Sequence, residues 1–318
     1  MLPEKNCFLL RCVPVRKISN IMKDEMGGTA MIYLSQFTFP SIAAEENFLH
    51  GIKETCYNTV YPFQILSRHE VHVLNFDEPV TILYGGNGSG KTTALNVIAE
   101  KLRLGRDTLF NRTNFFEHYV DFCEYVIERE IPERSRVITS DDVFDFMLNI
   151  RSLNEGIDAK RKDLFDDYYD TKTSKFQLHS LDDYEQLAKV NAARRKTKSK
   201  YVRDQVKDNV REHSNGESAY LYFTDKIREN GLYLLDEPEN SLSPERQQEL
   251  VNFIEESARF FGCQFIMATH SPFLLSMKNS KIYNMDEEPI RVSTWTKLPN
   301  VRAYYDFFKQ HEEEFHAL

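Results

Sequence analysis

The run Gly85-Gly86-Asn87-Gly88-Ser89-Gly90-Lys91-Thr92 constrains this chain more than any other feature. It is a complete G-x-x-x-x-G-K-[ST] loop, and it stands where such a loop has to stand. Val80-Thr81-Ile82-Leu83-Tyr84 predicts a buried strand entering it, and the pattern from Thr93 to Glu100 predicts a helix leaving it. The glycines let the backbone curl so that successive N–H groups face a phosphate, and the helix N-terminus adds partial positive charge. Lys91 is then placed to reach the β- and γ-phosphates of a nucleotide, with the Thr92 hydroxyl on Mg²⁺ and Thr93 beside it in the first turn.

The 318-residue chain can hold a large α/β core carrying an insertion. No stretch approaches the ~20 consecutive apolar residues of a membrane span. A net charge of −9 argues against nonspecific nucleic-acid binding by the molecule as a whole, so function has to come from sites. The five cysteines (Cys7, Cys12, Cys56, Cys123, Cys263) are scattered without metal-ligand spacing, which suits a reducing, cytoplasmic setting. Residues 1–30 lack the layout of a signal peptide and read as an extension, disordered or untranslated. A start at Met22, Met26 or Met31 is the simplest explanation, because patterned sequence begins at Ile32.

Four regions follow from the patterning. Residues 31–105 read as the first part of the core, with a strand over Ile32–Phe39, a helix over Ala43–Cys56 and a strand from Val71 to Phe76. That last strand and Val80–Tyr84, separated by Asp77-Glu78-Pro79, predict an antiparallel hairpin leading into the loop. Residues 106–213 are charged, tyrosine-rich and helical in period, and predict an inserted helical lobe. Its basic segment runs from Arg194 to Arg211, opposed only by Asp204 and Asp208, and is either a solvated helix face or a contact for DNA or an acidic partner. Residues 214–318 return to core: a helix over Ala219–Asn230, a strand over Leu232–Leu235, a helix over Pro244–Phe261 and a strand over Gln264–Ala268. Strands alternating with helices predict a mainly parallel sheet with its ligand at the strands' C-terminal ends.

That edge carries more chemistry. Asp236 and Glu237 follow an apolar strand directly, which suits Asp236 to Mg²⁺ and Glu237 to orienting or deprotonating a water that attacks the γ-phosphate. His270, just past the next strand, can donate to the γ-phosphate, while Ser271 and Pro272 read as N-cap and first turn of another helix. Ser214-Asn215-Gly216-Glu217 precedes a helix. It reads either as a capping box or as an anion site.

Together these residues resemble the ATP-binding-cassette ATPases, in particular the soluble branch of RecF-like, SMC-like and overcoming-lysogenization-defect-like proteins and small stand-alone AAA-type ATPases. The likeness runs from about Ile32 to Tyr283. It implies a P-loop NTPase fold with antiparallel N-terminal strands, and it assigns roles. Gly85 to Thr92 resembles Walker A, and Leu232 to Glu237 resembles Walker B with its catalytic glutamate. Ser241-Leu242-Ser243-Pro244 is similar to the D-loop, His270 to the switch histidine and Ser214 to Glu217 to the signature. In that family two subunits pack head to tail, the signature of one capping the γ-phosphate held by the other. Two departures stand out. The transporter-type Leu-Ser-Gly-Gly-Gln is replaced by His213-Ser214-Asn215-Gly216-Glu217, and no glutamine occurs between Lys91 and Gln177 to serve as the Q-loop ligand. Asp141 or Asp142 could supply that oxygen, and Tyr61 or Phe63 could stack on adenine or simply pack in the core.

The expectation is a Mg²⁺-dependent, cytoplasmic ATPase that hydrolyses ATP in a transient homodimer, with Lys91, Glu237 and His270 as its catalytic set. The alternative is a slow ATP-gated switch for an effector protein or DNA, in a repair or phage-defence assembly. A transporter's nucleotide-binding subunit comes third, since it needs a membrane partner, and a small-molecule kinase leaves Glu237, His270 and the Ser214 segment unexplained.

Overall fold

The computed structural model of the protein describes residues 31–53, 56–175, 184–210 and 215–316. Residues 1–30, and Arg211, His213 and Ser214 of the segments discussed above, lie outside them.

A six-stranded sheet forms the centre. In spatial order it contains β5 (Arg136–Thr139), β6 (Gly231–Asp236), β7 (Cys263–Ala268), β3 (Val80–Tyr84), β8 (Ser280–Asn284) and β9 (Arg291–Val292). Every pairing is parallel except that of β9, which runs antiparallel to β8. The inner strands are apolar along their length because both faces are covered, and alternate side chains enter different cores. Leu232 and Leu234 of β6, with Ile266 and Ala268 of β7, join one cluster. Tyr233, Leu235, Phe265 and Met267 join the other.

On the first face lie α2 (Lys91–Lys101), α3 (Phe116–Phe122) and a three-stranded antiparallel sheet ordered β2 (Val73–Asn75), β1 (Leu34–Thr38), β4 (Glu124–Ile127). Fully buried Gln264 joins the two sheets. Its Oε1 accepts the Tyr33 and Leu34 N–H groups at 2.8 and 2.9 Å, and its Nε2 donates to Leu34 O at 2.8 Å. On the second face lie α7 (Asn215–Lys226), α8 (Pro244–Phe260), the short α9 (Pro272–Leu275) and the start of α10 (Pro299–Gln310). A last turn, α11 (Glu312–His316), follows.

The antiparallel N-terminal strands and the parallel core agree with expectation; the hairpin does not. β2 pairs with β1, whereas β3 sits between β7 and β8 in the other sheet. Asp77-Glu78-Pro79 is therefore a crossing between sheets. The fully buried β3 needs cover on both faces, which a two-stranded hairpin cannot give it. The first helix, α1, spans Ile42–Gly51, shorter than Ala43–Cys56, and α7 begins at Asn215 and ends at Lys226, earlier than expected at both ends.

The lobe boundary also moves. β4 and β5 lie within residues 106–213 but belong to the two sheets, so the helical part starts at Ser140. There α4 (Ser140–Thr173) is nucleated by a capping box in which Thr139 and Asp142 bond reciprocally. It packs with α5 (Tyr184–Arg195) and α6 (Lys198–Arg203) around a small core of Tyr168, Ala193, Tyr201 and Val202.

Candidate nucleotide-binding and hydrolysis site

The strand registers set Tyr84 level with Asn284, Leu83 with Ala268, and Asp236 with both Ala268 and Thr139. Five strand ends thus meet at one edge. The loop 85–90 leaves β3 and turns into α2, with Gly88 and Gly90 at φ 89° and 90°, a region that L-residues avoid. At Gly90 the constraint is double, since a Cβ there would lie 2.8 Å from Leu66 Cδ2. Lys91 is buried, and its Nζ donates to Gly85 O at 2.7 Å and Gly86 O at 3.0 Å. Burial pulls its pKa down, opposed by the charges of Glu237, Asp236, Asp286 and Glu239. Ser89 and Thr93 are also buried.

Across the edge, Thr92 Oγ1 donates to Asp236 Oδ1 at 3.1 Å. Burial pushes the Asp236 carboxyl up to about 6, with the Thr92 hydroxyl pulling the other way and Glu237 adding to the rise. A carboxylate that is costly to ionise alone is one a cation would stabilise. Among the described residues no group of three or more His, Cys, Asp or Glu side chains could cage a metal. A hydroxyl and one carboxylate match the sparse protein ligation of Mg²⁺, which completes its shell with water and phosphate oxygens.

Glu237 adopts a left-handed conformation, φ 48°, and its N–H donates to Ala268 O at 2.9 Å. That twist turns its side chain away from the direction of Asp236. Its Oε1 lies 3.8 Å from His270 Nε2, and its Oε2 accepts from Asn240 Nδ2 at 3.0 Å. The His270 Nε2 atom is buried and has no hydrogen-bond partner. A pocket of about 280 Å³ is lined by Ile65, Asn87, Gly88, Gly90, Lys91, Thr92, Thr93 and Glu237. Ile65 also lines a neighbouring cavity of about 330 Å³ that includes Tyr57, Tyr61 and Arg68. A separate cleft of about 630 Å³ lies where β3 begins, around Pro79 and Lys278, at the opposite end of the strands from these groups.

Several residues acquire partners that sequence reasoning did not supply. Asp286, just past β8, accepts the Gly86 N–H on both oxygens at 2.8 Å, and so holds the phosphate loop from the far side. Glu239 Oε1 accepts the His270 N–H at 2.6 Å and the Ser271 N–H at 3.1 Å, while Asn300 Nδ2 donates to His270 O at 2.8 Å. Ser271 caps α9 as expected.

The aromatic residues upstream divide. Phe63 is buried, stacked on Phe48 with centroids 4.8 Å apart and set edge-on to Tyr119, so it packs in the core, with part of its surface on the second cavity. Tyr61 borders the second cavity, and its hydroxyl donates to Thr93 Oγ1 at 3.2 Å. Asp141 is exposed, whereas Asp142 is buried with Oδ2 in the capping box and Oδ1 unpartnered.

Of the signature, Asn215 Oδ1 accepts from Arg151 of α4 at 2.8 Å, and Glu217 lies in the first turn of α7. A Cβ on Gly216 would stand 3.3 Å from Ser241 O and 3.7 Å from Ser243 N, so the start of α7 rests on the D-loop of its own chain. Ser241 is left-handed at φ 72°, Leu242 is buried, and Ser243 caps α8. None of these residues lines the pocket around Lys91.

In the basic segment, Arg194 is drawn to the carbonyls of Lys172 and Ser174 at the end of α4, Lys196 pairs with Asp204, and Lys198 lies over the Phe165 and Tyr169 rings. Arg194, Lys196 and Lys198, three of the seven described basic residues of the segment, are therefore engaged inside the lobe.

A family model described as ABC transporter matches residues 71–240, more than half of the 318-residue chain. The chain belongs to this ABC family. A second model, described as an AAA domain of AbiEii toxin and type IV TA system type, matches residues 209–276. No curated protein matches the sequence. Among solved structures, the chain is similar to a dimeric post-hydrolysis state of the ATP-binding cassette MJ0796 bound to ADP and Pi, at 14% identity, covering 71% of this chain and 90% of that one with a TM-score of 0.34. It is also similar to the Pyrococcus furiosus Smc head domain with an extended coiled coil bound to the C-terminal domain of ScpA, at 11% identity, 76% and 95% coverage and a TM-score of 0.37. No helix among the described residues is long and apolar enough to cross a membrane.

Proposed function

We propose that this ABC-family chain binds ATP with Mg²⁺ and hydrolyses it in a homodimer that forms on the nucleotide. The observation that carries this reading is the convergence of Thr92, Asp236, Glu237 and His270 on the rim of the phosphate loop, from three separate strand ends. The loop amides and Lys91 would bind the phosphates, Lys91 leaving its carbonyl partners to do so. Thr92 and Asp236 would hold Mg²⁺, which would supply positive charge against the negative charge that develops on the phosphates. Glu237 would take a water's proton on Oε1 while Asn240 fixes Oε2, and His270 Nε2 would donate to the γ-phosphate. The cavity beside Tyr61 would take the base. Asp142, in the first turn of α4 just past the strand that pairs with β6, would supply through its unpaired Oδ1 the oxygen that the missing glutamine leaves open.

The dimer follows from exposure of the site. Glu237 and His270 are each about one-third exposed (35% and 34%), so a single copy leaves the γ-phosphate open to water. A second copy presenting the start of its α7, from Asn215 to Glu217, would add donors and close it. The alternative of a slow switch acting through DNA draws less support, since Arg194, Lys196 and Lys198 are engaged within the lobe.

The test is turnover and binding measured on the same variants. Lys91→Ala should abolish ATP binding, and Glu237→Gln should keep the ATP Kd within about threefold while kcat falls about 100-fold or more. A Glu237→Gln protein that hydrolyses ATP at the wild-type rate would remove Glu237 from the reaction.

A further inference from the structure

Resting on the hydrolysis reading above, the geometry points to Glu239 as a positioning residue that locks the switch-histidine loop to the D-loop, through its two hydrogen bonds to the His270 and Ser271 amides. Glu239 stands two residues past Glu237, outside the strand, and touches no group that would meet the nucleotide. Its Oε1 takes both amides, and its backbone carbonyl accepts the Leu242 N–H at 3.0 Å. The next residue, Asn240, donates its side-chain amide to Glu237 Oε2 and its N–H to Glu237 O at 3.1 Å. Two consecutive residues thus fix the two functional groups: Glu239 sets the backbone from which His270 projects, and Asn240 sets the carboxylate of Glu237. The 3.8 Å spacing between His270 Nε2 and Glu237 Oε1 is defined by that pair of contacts.

Stability is a poor explanation for this carboxylate. Its other oxygen, Oε2, is buried with no hydrogen-bond partner, an arrangement that costs free energy. Placement is the better explanation. Both turn residues flanking Glu239 and Asn240 are left-handed, Glu237 at φ 48° and Ser241 at φ 72°, so the segment is a stiff bridge between its ends. One end is the catalytic glutamate; the other is the D-loop, against which Gly216 of α7 packs so closely that a Cβ there would stand 3.3 Å from Ser241 O. His270 is pinned from the other side by Asn300, so its loop can move only with Glu239 and the base of α10. A displacement of His270 would therefore be passed through Glu239 to Ser241 and the start of α7, the surface offered to the second copy.

Two measurements on the full chain test this. In hydrogen exchange, Glu239→Ala should lower protection of the His270 and Ser271 amides about tenfold or more. Glu239→Gln, which keeps an acceptor oxygen, should lower it by about threefold, and the β6 and β7 amides should stay unchanged in both. Unchanged His270 and Ser271 protection in the alanine variant overturns the lock whether or not the chain turns over ATP, which separates this failure from failure of the hydrolysis reading. In kinetics, Glu239→Ala should lower kcat about tenfold with the ATP Kd within threefold, Glu239→Gln should recover most of that loss, and adding Glu239→Ala to a His270→Ala protein should cost less than a further twofold. Fully additive losses, or kcat and Kd falling together, would show that Glu239 does not act through His270.

Discussion

Thr92 and Asp236 stand 144 positions apart in the chain, and the hydroxyl of one donates to the carboxylate of the other at 3.1 Å. The first opens α2, the second closes β6. Their contact is possible because β7 alone separates β3 from β6, so that α2 crosses above both neighbouring strands. If this pair holds Mg²⁺, Asp236→Asn should abolish metal-stimulated turnover while metal-free nucleotide binding falls by less than about tenfold. Thr92→Ser, which keeps the hydroxyl, should retain far more activity than Thr92→Val. Titrating Mg²⁺ against turnover in the three variants checks this, and equal losses in the serine and valine variants would count against metal ligation by the hydroxyl.

Gly88 and Gly90 share a left-handed backbone, but only Gly90 is also crowded. Around Gly88 a Cβ would meet nothing within 4 Å. Gly88→Ala should then cost only backbone strain, about 1 kcal/mol, whereas Gly90→Ala must also displace Leu66 and should cost about 2–4 kcal/mol. Urea unfolding of the two variants measures the difference directly; a larger loss at Gly88 would contradict the packing described for Leu66.

The segment around Leu66 is held by Glu45, a buried carboxylate whose Oε2 accepts the Gln64 N–H at 2.7 Å and the Ser67 hydroxyl at 2.9 Å. Burial raises its pKa above the ordinary value, against the pull of those two donors. An acid whose folded-state pKa is raised binds more protons folded than unfolded in the window between its unfolded and folded values. Stability therefore falls as pH rises through that window, and the loss persists above it. Glu45→Gln removes the titration. Thermal unfolding of the wild type relative to Glu45→Gln should show the wild type losing ground from pH 4.5 towards neutrality, and a parallel pair of curves would mean that Glu45 titrates as an ordinary exposed acid.

Much of this site could be read in the sequence because its groups are local to recognisable strand ends. The loop from Gly85 to Thr92, the carboxylates Asp236 and Glu237 and the histidine at 270 each announce themselves within a few residues, and a parallel sheet brings such ends to one edge. What could not be read depends on contacts across the sheet. Asp286 meets Gly86 from 200 positions away, and Asn300 meets His270 from 30. No local pattern marks either. Glu239 was not legible either, because its amide partners, His270 and Ser271, lie just past the next strand. The hairpin reading failed for a related reason. Asp77-Glu78-Pro79 signals a turn but not which sheet each flanking strand joins, and Tyr283, whose hydroxyl contacts the Asn75 backbone, shows how closely the two sheets approach there.

The central claim is that two copies close on ATP, and the most direct measurement is the mass in solution of the Glu237→Gln protein by light scattering, with and without ATP and Mg²⁺. The account predicts monomer mass without nucleotide and twice that mass with it, lost again in the Lys91→Ala, Glu237→Gln double variant. A Glu237→Gln protein saturated with ATP that keeps the monomer mass would contradict it.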